Sequence, residues 1–583
     1  MALKKKIMKT AVHNCNTQMK RNHFLLQVIL IVAGLTFYSC SAEAETESLS
    51  TEQAYAELKL PEGPDSLQIH SIVQASRIWG FAKYHHPAFA SSSINADAEY
   101  FRLLKDILQA PDSMRNDVCS KWISGLGPFE LQDKKDDGKI ETFNDFNWIS
   151  DSLLLGKSLS ESLMKLRDAD PKGNRYVKQT PVNVSYIETQ YSDIPQDDVA
   201  YRLLGVAKFW NAVDSYSPNR NLTDRPWDKV LPEYIALAFD RSVSFSALYS
   251  RMVSELCDTH VNSWYVPIFG GRFVPLMCRF AEDRLFVTDT CSLVPNNLEI
   301  GDEIILIDSV SPIKRLNELA PYIPHSNRSS LLRDGSYATL LTAKDEVCVK
   351  YVRDGKTYTA TIPSVDGNSF VNRRFPSQND STKPGFKEVA GDVGYINIGS
   401  LTCKDEQDLE KFLASYDKLI IDLRTYPAEY DVLYKLLPNF FFSQAREAAE
   451  VLLPLANRPG SFIRTTVRTS KASDPDKLYK GKVVLLVNAH SQSMSEYFTM
   501  FMQTMPGSVT IGSQTAGADG DVTRIQLPYA AFYITGAGIC YPDGTNAQRN
   551  GVKIDIVVEP SAEGMMRGED EQLQAAIDYL KRN

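Results

Sequence analysis

The spacing of apolar and polar residues changes twice along the chain and divides it into three regions. Between residues 66 and 268, apolar residues recur at helical spacing, as in "AEYFRLLKDIL". Residues 269–366 contain short alternating runs such as "DRLFVTDT", which predict strands, and Asp354–Gly355 predicts a hairpin turn. In residues 385–583, continuous apolar runs alternate with amphipathic ones, which is typical of a parallel sheet covered by helices. The pattern predicts a multidomain α+β protein.

An internal repeat divides the helical region into two units, residues 66–187 and residues 188–268. "RIWGFAKY" and "RLLGVAKF" share R-x-x-G-x-A-K-aromatic and begin at Arg77 and Arg202. Two copies indicate duplicated helical units rather than a solenoid, which needs more copies. The pair His85–His86 follows the first copy and suggests metal binding. However, adjacent residues on a helix point roughly 100° apart, and no partner lies at ligand spacing, so no metal site is predicted.

The first forty residues have the character of an export signal. Basic residues precede the apolar run "FLLQVILIVAGLTFYS", whose length is typical of a signal peptide rather than of a membrane-spanning helix. The run ends at Cys40 in a context that resembles a bacterial lipoprotein site, so residues 1–40 are a predicted leader and residues 41–65 a polar linker. We expect a periplasmic or outer-membrane lipoprotein of a Gram-negative bacterium. An ordinary signal peptide with an incidental cysteine, and a start at Met1 or Met19, stay open.

Composition and charge exclude several classes of function. A chain of 583 residues is too long for a single core, and its 43% hydrophobic and 23% charged content is that of a globular protein. The net charge of −9 comes without clusters of Lys and Arg, which argues against nucleic-acid binding. The cysteines form no CxxC pair and no metal-like spacing. We therefore expect no cofactor and no metal, and membrane contact only through the lipid anchor.

The stretch "NAHSQSMSEYF" carries the densest candidate chemistry, because it follows the predicted strand "KVVLLV" and opens a predicted helix. Sites in parallel sheets gather at the carboxyl ends of strands. At a helix N-terminus, unpaired N–H groups favour developing negative charge, so Ser493 is a candidate nucleophile and the Met494 N–H a candidate oxyanion donor. The same letters also describe an ordinary helix start, with Ser491 or Ser493 as N-cap and Glu496 as its capping-box partner.

A nucleophilic serine needs a base, and two histidines are candidates for that role. His490 lies three residues before Ser493, but catalytic bases are commonly distant from the nucleophile in sequence. His260 lies in "LCDTHVNSW", just before the strand-rich region. From the residues alone, an ordinary structural role for His260 stays open.

Four features, in this order, resemble the C-terminal-processing, or tail-specific, serine peptidase family. They are a helical region that ends in "DTH", a strand-rich module with "GDEIILID", the run "LIIDLRTYP", and the series "NAHSQSMSE", "IGSQTAGADG" and "QRNGVKID". The resemblance covers roughly residues 200–583, and the N-terminal duplication is similar to that of relatives from Bacteroides-type bacteria. It implies a PDZ-like domain at residues 269–366 and an α/β, crotonase-like protease core at residues 385–583.

The resemblance assigns roles to individual residues. The family's S-x-x-E motif falls on Ser493, as nucleophile, and on Glu496, as a supporting residue. One branch has a catalytic lysine where this chain has Ala518, so a Ser–Lys dyad is absent. The tricorn-like branch instead has an [ST]-H pair, which Thr259 and His260 match, making His260 the expected base.

The last position of that branch departs from its pattern. A glutamate is expected shortly before the final run, and Gln548 occupies the corresponding place. A neutral amide can hydrogen-bond to a neighbour but cannot compensate the charge on an imidazolium. Gln548 and Thr259 are therefore expected to orient polar groups around the Ser–His pair.

The resemblance implies a serine endopeptidase that cleaves extended or unfolded proteins through an acyl-enzyme. Met494 and the loop containing Thr425 and Tyr426 are expected to supply the oxyanion-binding groups. The alternative is a catalytically inactive PDZ lipoprotein that binds peptides. Hydrolysis of small esters has less support, because the chain has no G-x-S-x-G elbow. The substrate and the oligomeric state are left open.

Overall fold

The computed structural model describes residues 51–90, 94–132, 139–191, 193–261, 266–290, 297–367 and 385–583. The predicted leader and Cys40 lie outside the described residues. No helix within these ranges has the length and apolarity needed to cross a membrane.

The N-terminal half is helical, as the apolar spacing predicts. Its α-helices span Ser66–His85, Ala96–Gln109, Arg115–Gly125, Ser152–Arg167, Val199–Tyr216, Val230–Ala238 and Phe245–Ser254. Three short strands lie between them, at Ile140–Thr142, Val177–Gln179 and Val184–Tyr186. Residues 51–57, which we assigned to the linker, form a further helical segment, and Ala54 is buried in the helical core. The assignment of residues 41–65 as a linker is therefore wrong for this segment, because its apolar residues pack against the helices that follow.

The internal repeat marks the contact between the two units. Gly80 of the first copy faces the side chain of Asn211, where a Cβ atom would come within 1.9 Å of Asn211 Cγ. The two repeat lysines meet in the interior: Lys83 pairs with Glu188, and Lys208 Nζ lies 3.2 Å from the same carboxylate. A second carboxylate, Asp97, lies 2.7 Å from Lys208 Nζ. Because both repeat helices contribute to one core and one buried charge cluster, residues 187 and 188 do not separate two independent cores.

A strand-rich module follows the helical region. Its main sheet is antiparallel and takes the order Lys356–Pro363, Glu346–Arg353, Glu303–Ile307, Arg284–Thr290 and Leu276–Ala281. A smaller sheet comprises Arg272–Phe273, Leu341–Thr342 and Val365–Asp366, and the helices are Pro312–Leu319 and Arg328–Ala338. The predicted turn at Asp354–Gly355 is confirmed: both residues have positive φ (48° and 71°), as a two-residue hairpin turn requires.

The C-terminal region is built on a six-stranded sheet. Its order is Phe386–Val389, Val393–Asn397, Lys418–Asp422, Lys482–Val487, Val509–Gly512 and Ile556–Val557. The first pair is antiparallel and the others are parallel. The apolar strands are buried because separate hydrophobic clusters cover the two faces of the sheet. The α-helices of this region are Glu406–Leu413, Leu437–Phe441, Met494–Met502, Ala562–Arg567 and Glu571–Arg582.

Two further sheets join the C-terminal region to the helical one. Strands Glu447–Pro454, Ser461–Arg468 and Gly538–Cys540 form a sheet with Ile140–Thr142 from the helical half. The hairpin of Val522–Gln526 and Ala531–Thr535 places its apolar residues in the helical core. The helical and C-terminal regions are thus interlocked, and this brings residues near 260 to the C-terminal sheet.

Candidate active site

The candidate site lies at the carboxyl ends of two neighbouring parallel strands, Lys418–Asp422 and Lys482–Val487. The loops that leave these strands are tied together by side-chain hydrogen bonds. Ser491 Oγ donates to the carbonyl of Leu423 (2.8 Å), and Ser495 Oγ donates to that of Thr425 (2.9 Å). These two serines therefore fix the loop of residues 423–426 beside the start of helix Met494–Met502.

Ser493 is the N-cap of that helix and has an unusual backbone conformation, with φ 55° and ψ −119°. Such a conformation costs a non-glycine residue on the order of 1–3 kcal/mol and persists only where its surroundings impose it. The Ser493 N–H is held by two acceptors, the Ala518 carbonyl (2.8 Å) and Glu496 Oε2 (3.2 Å). Met494 is the first helical residue, so its N–H belongs to the first turn, whose donors lack intrahelical acceptors.

Glu496 organises the backbone around Ser493. Its buried carboxyl group accepts from Thr515 Oγ1 (2.5 Å), from the Gly517 N–H (2.8 Å) and from the Ala518 N–H (3.0 Å), in addition to Ser493. Burial raises the Glu496 pKa, and these hydrogen bonds oppose the rise. Glu496 thus completes a capping box and also attaches the segment of residues 515–518 to the start of the helix.

The loop of residues 424–426 faces Ser493 from the other side. The Tyr426 hydroxyl lies beside the Ser493 side chain; burial raises the Tyr426 pKa, and the contact with Ser493 opposes the rise. Thr425 Oγ1 donates to Asn397 Oδ1 (2.6 Å), and the Thr425 carbonyl accepts from Ser495 Oγ. From the sequence, this loop was expected to supply oxyanion-binding groups, and the structure in addition brings the phenol of Tyr426 to Ser493.

His260 reaches the site from the helical region and is anchored by the C-terminal hairpin. Its Nδ1 lies 2.9 Å from Thr535 Oγ1, and its backbone N–H donates to Asp258 Oδ1 (3.0 Å). Its Nε2 is buried and has no hydrogen-bond partner among the described residues. Burial lowers the His260 pKa; Asp258 opposes this effect, and the cation Arg333 adds to it. His260 is therefore held as a neutral imidazole with one nitrogen unengaged.

Thr259 and Gln548 lie on the same side of the site and make structural contacts. Thr259 Oγ1 is 2.9 Å from Ser326 Oγ and 3.1 Å from Ser330 Oγ, which connects the "DTH" loop to the strand-rich module. The Gln548 amide donates to Asp258 Oδ1 (3.3 Å), and Gln548 Oε1 is buried without a partner in the described part of the chain. Neither side chain has a hydrogen bond to the imidazole of His260 within the described residues.

The strand-rich module contributes two polar residues that the sequence analysis missed. Arg333 donates to the Ala489 carbonyl (2.8 Å) and interacts electrostatically with Glu496. Asn327 Nδ2 donates to the carbonyls of Thr515 (2.9 Å) and Arg549 (2.9 Å). No local pattern marked these residues, because their partners lie more than 150 positions away in the sequence.

Asp258 is the third polar residue that the sequence analysis passed over, although a signal for it was present. It lies within the quoted run "DTH", two positions before His260, and its side chain is fully buried. His490, the histidine nearest to Ser493 in sequence, donates its backbone N–H to Asn488 Oδ1 (2.9 Å).

Two carboxyl groups, the buried Asp519 and the half-buried Asp521, follow the segment attached to Glu496. Burial raises the pKa of Asp519 well above its usual value, and the charge of Glu496 raises it further. Burial also raises the pKa of Asp521 to about 6. Both groups act electrostatically on Tyr426. Carboxyl groups held in such unfavourable surroundings are typical of functional sites, although structural networks also produce them.

The described residues contain no group of three or more His, Cys, Asp or Glu side chains arranged to hold a metal ion. At the two adjacent histidines, His85 Nδ1 lies 2.8 Å from the Phe81 carbonyl, and His86 Nδ1 accepts from the Ala88 N–H (3.1 Å). These contacts orient both rings within the helical region.

Comparison with known proteins finds a family model that matches the region of this site. Residues 392–558, which include Ser493 and Gln548, match the family model described as Peptidase family S41. A carboxy-terminal-processing protease of Bartonella bacilliformis is 26% identical over 192 residues, which cover 31% of this chain and 42% of that protein. The match thus spans less than half of the relative's length.

Solved structures share the fold at low sequence identity. Mature CPAF in complex with lactacystin has a TM-score of 0.51 and 12% identity, with 66% of this chain and 97% of that chain covered. Mature CPAF alone has a TM-score of 0.50 and 13% identity, with 66% and 96% covered. These likenesses concern the fold alone.

Proposed function

We propose that the chain is a serine peptidase with Ser493 as nucleophile, which the match of residues 392–558 to the model of peptidase family S41 supports. The observation that carries the proposal is the position of Ser493. It begins a helix at the carboxyl edge of a parallel sheet, with a left-handed φ of 55° imposed by Glu496 and Ala518. Helix starts of this kind supply N–H groups where an acyl-transfer reaction develops negative charge.

His260 is the general base in this proposal. It takes the proton of the Ser493 hydroxyl during attack on a peptide carbonyl, returns it to the leaving amine, and then activates water to release the acyl group. Its unengaged Nε2 and its lowered pKa suit a base that must be neutral when attack begins. Since His260 Nε2 has no partner in the described residues, the proposal requires that the substrate-bound state bring Nε2 within reach of Ser493 Oγ.

The oxyanion is held by the Met494 N–H together with a backbone group of Thr425 or Tyr426. This assignment is supported by the hydrogen bond from Ser495 to the Thr425 carbonyl, which fixes the loop against the helix start. Thr259 and Gln548 act indirectly. Thr259 anchors the "DTH" loop through its hydrogen bond with Ser326, and Gln548 donates a hydrogen bond to Asp258.

The expected substrates are extended or unfolded protein chains. The strand-rich module is proposed to be PDZ-like and the C-terminal region crotonase-like. Among the described residues, Leu276–Ala281 and Lys356–Pro363 are the edge strands of the module's main sheet, where an incoming peptide could pair as an added strand. We further propose that Cys40 anchors the protein in the periplasm or at the outer membrane of a Gram-negative bacterium.

Cleavage of a reduced, unfolded protein by four purified forms tests the proposal. Wild type and His490→Ala should cleave it, whereas Ser493→Ala and His260→Ala should each lose at least about 10³-fold in kcat/KM. Full activity of His260→Ala with loss in His490→Ala would contradict the assignment of the base. Peptide binding without cleavage by the wild type would instead favour a non-catalytic peptide-binding protein.

A further inference from the structure

The family that this chain resembles has a glutamate at the position of Gln548. The candidate site therefore lacks a carboxylate at that position. A carboxylate is nevertheless present near His260. Asp258 Oδ1 lies 3.8 Å from His260 Nδ1, and the Asp258 side chain is completely buried. The resemblance assigns no catalytic role to Asp258, and the mechanism above mentions it only as the hydrogen-bond partner of Gln548.

We propose that Asp258 is the acidic positioning residue of this active site and that Gln548 serves as its hydrogen-bond donor. The proposal rests on the proposed Ser–His mechanism. In it, the negative charge lies at position 258, and an amide takes the place of the glutamate at position 548.

The contacts of Asp258 are those of a charged acceptor. Oδ1 accepts from the His260 N–H (3.0 Å) and from Gln548 Nε2 (3.3 Å), and Oδ2 accepts from the Thr535 N–H (2.9 Å). An ionised carboxylate accepts hydrogen bonds and donates none, so three N–H donors match its needs. A buried charge without partners is strongly unfavourable, and these donors provide the partners.

The geometry also selects the tautomer that a general base needs. At 3.8 Å, Asp258 is too far from Nδ1 for a hydrogen bond, and Thr535 Oγ1 takes that place at 2.9 Å. The Thr535 hydroxyl can donate or accept, but the negative charge of Asp258 near Nδ1 favours the proton on that nitrogen, and Thr535 Oγ1 then accepts from it. Nε2 then keeps its lone pair, which is the state that accepts the Ser493 proton.

The amide of Gln548 donates a hydrogen bond to Asp258, which the ionised carboxylate of a glutamate at position 548 could not do. A carboxylate at position 548 would lie about as close to Asp258 as the amide does now (3.3 Å). Two carboxylates at that separation cannot both be ionised at neutral pH, so they would share a proton. A carboxylate at one position therefore disfavours a second at the other.

The other charge that acts on His260 is Arg333, which also pairs with Asp334 and interacts with Glu496. Arg333 and burial lower the His260 pKa, and Asp258 raises it. Loss of the Asp258 charge should therefore move the acid limb of the kcat/KM profile to lower pH. A purely structural role for Asp258 would leave that limb in place.

A double-mutant cycle tests the proposal with Asp258→Asn, Gln548→Glu and the two combined, each assayed for kcat/KM against pH. Asp258→Asn should lower the plateau value of kcat/KM by about 10²- to 10³-fold, which is less than the loss on removing a directly bonded triad aspartate. The acid limb of its pH profile should lie at lower pH. Gln548→Glu should not raise activity in the wild-type background. In the Asp258→Asn background it should restore at least about tenfold, which is the non-additivity expected of interacting residues.

The matched control is Asp302→Asn, which removes another buried aspartate, one that pairs with Arg353 in the strand-rich module. Its pH profile should be that of wild type. An unchanged rate and acid limb in Asp258→Asn would overturn the proposal. A gain in Gln548→Glu with Asp258 intact would also overturn it, and this arm decides the matter if Asp258→Asn fails to fold. Activity that survives Ser493→Ala would instead refute the proposed function.

Discussion

Replacing Asp521 with Asn should stabilise the protein at about pH 8 and leave its stability nearly unchanged at about pH 3. Asp521 follows the segment held by Glu496, and burial raises its pKa from 3.8 to about 6. Between these two values the folded protein keeps a proton that the unfolded chain has lost. The free energy of unfolding therefore falls as the pH rises through this window.

The size of the effect follows from the pKa difference. A rise from 3.8 to about 6 corresponds to about 3 kcal/mol, at about 1.4 kcal/mol per pKa unit. Asn can accept the same hydrogen bond from the Val522 N–H but carries no charge, so the variant escapes this cost at high pH. The expected gain is about 3 kcal/mol at about pH 8, as an order of magnitude.

Denaturant unfolding of wild type and variant at both pH values measures this prediction, since other titrating groups cancel in the difference at each pH. Asp543→Asn provides a control of opposite sign. The Asp543 pKa is lowered well below its usual value, chiefly by its hydrogen bond with Lys553, so its replacement should cost stability at about pH 8 and, because the folded protein keeps this group ionised, still at about pH 3. An equal stability difference at both pH values for Asp521→Asn, or a loss at high pH, would refute the reasoning.

Two further substitutions test other parts of the structure. Glu496→Gln should lower kcat by at least about 10²-fold and the free energy of unfolding by about 2–4 kcal/mol, because an amide cannot accept all four hydrogen bonds. Steady-state kinetics and denaturant unfolding measure it; a change under about 0.5 kcal/mol would show that the network is not needed. Lys208→Met should cost about 3–5 kcal/mol because it leaves buried carboxylates uncompensated. Adding Asp97→Asn should recover part of that loss, and full additivity of the two would contradict a shared charge cluster.

Local features of the fold could be predicted from the sequence where the signal was itself local. The Asp354–Gly355 turn and the parallel sheet of residues 385–583 were predicted from short-range patterns, and the structure contains both. The helical segment at residues 51–57 was missed because it is short and the partners of its apolar residues lie elsewhere in the sequence. Both helical units and the hairpin that ends at Thr535 share one core. This core depends on contacts between residues that are far apart in the sequence.

In the candidate site, too, only features with a local sequence signal could be predicted. Ser493 and Glu496 were predicted from adjacent letters, but the attachment of residues 515–518 to Glu496 needed the folded structure. Asp258 was visible beside His260, yet nothing in the sequence indicated that Gln548 donates to it. An apparent defect at position 548 in sequence therefore becomes, in the structure, one half of a hydrogen-bonded pair.

The central claim is that Ser493 is a nucleophile activated by His260. The most direct measurement is reaction with a fluorophosphonate, followed by peptide mapping of the labelled serine and of the labelling rate in His260→Ala and His490→Ala. The account predicts a single adduct on Ser493, formed at the wild-type rate in His490→Ala and at least about 10²-fold more slowly in His260→Ala. Absence of label on Ser493, or labelling of His260→Ala at the wild-type rate, would contradict it.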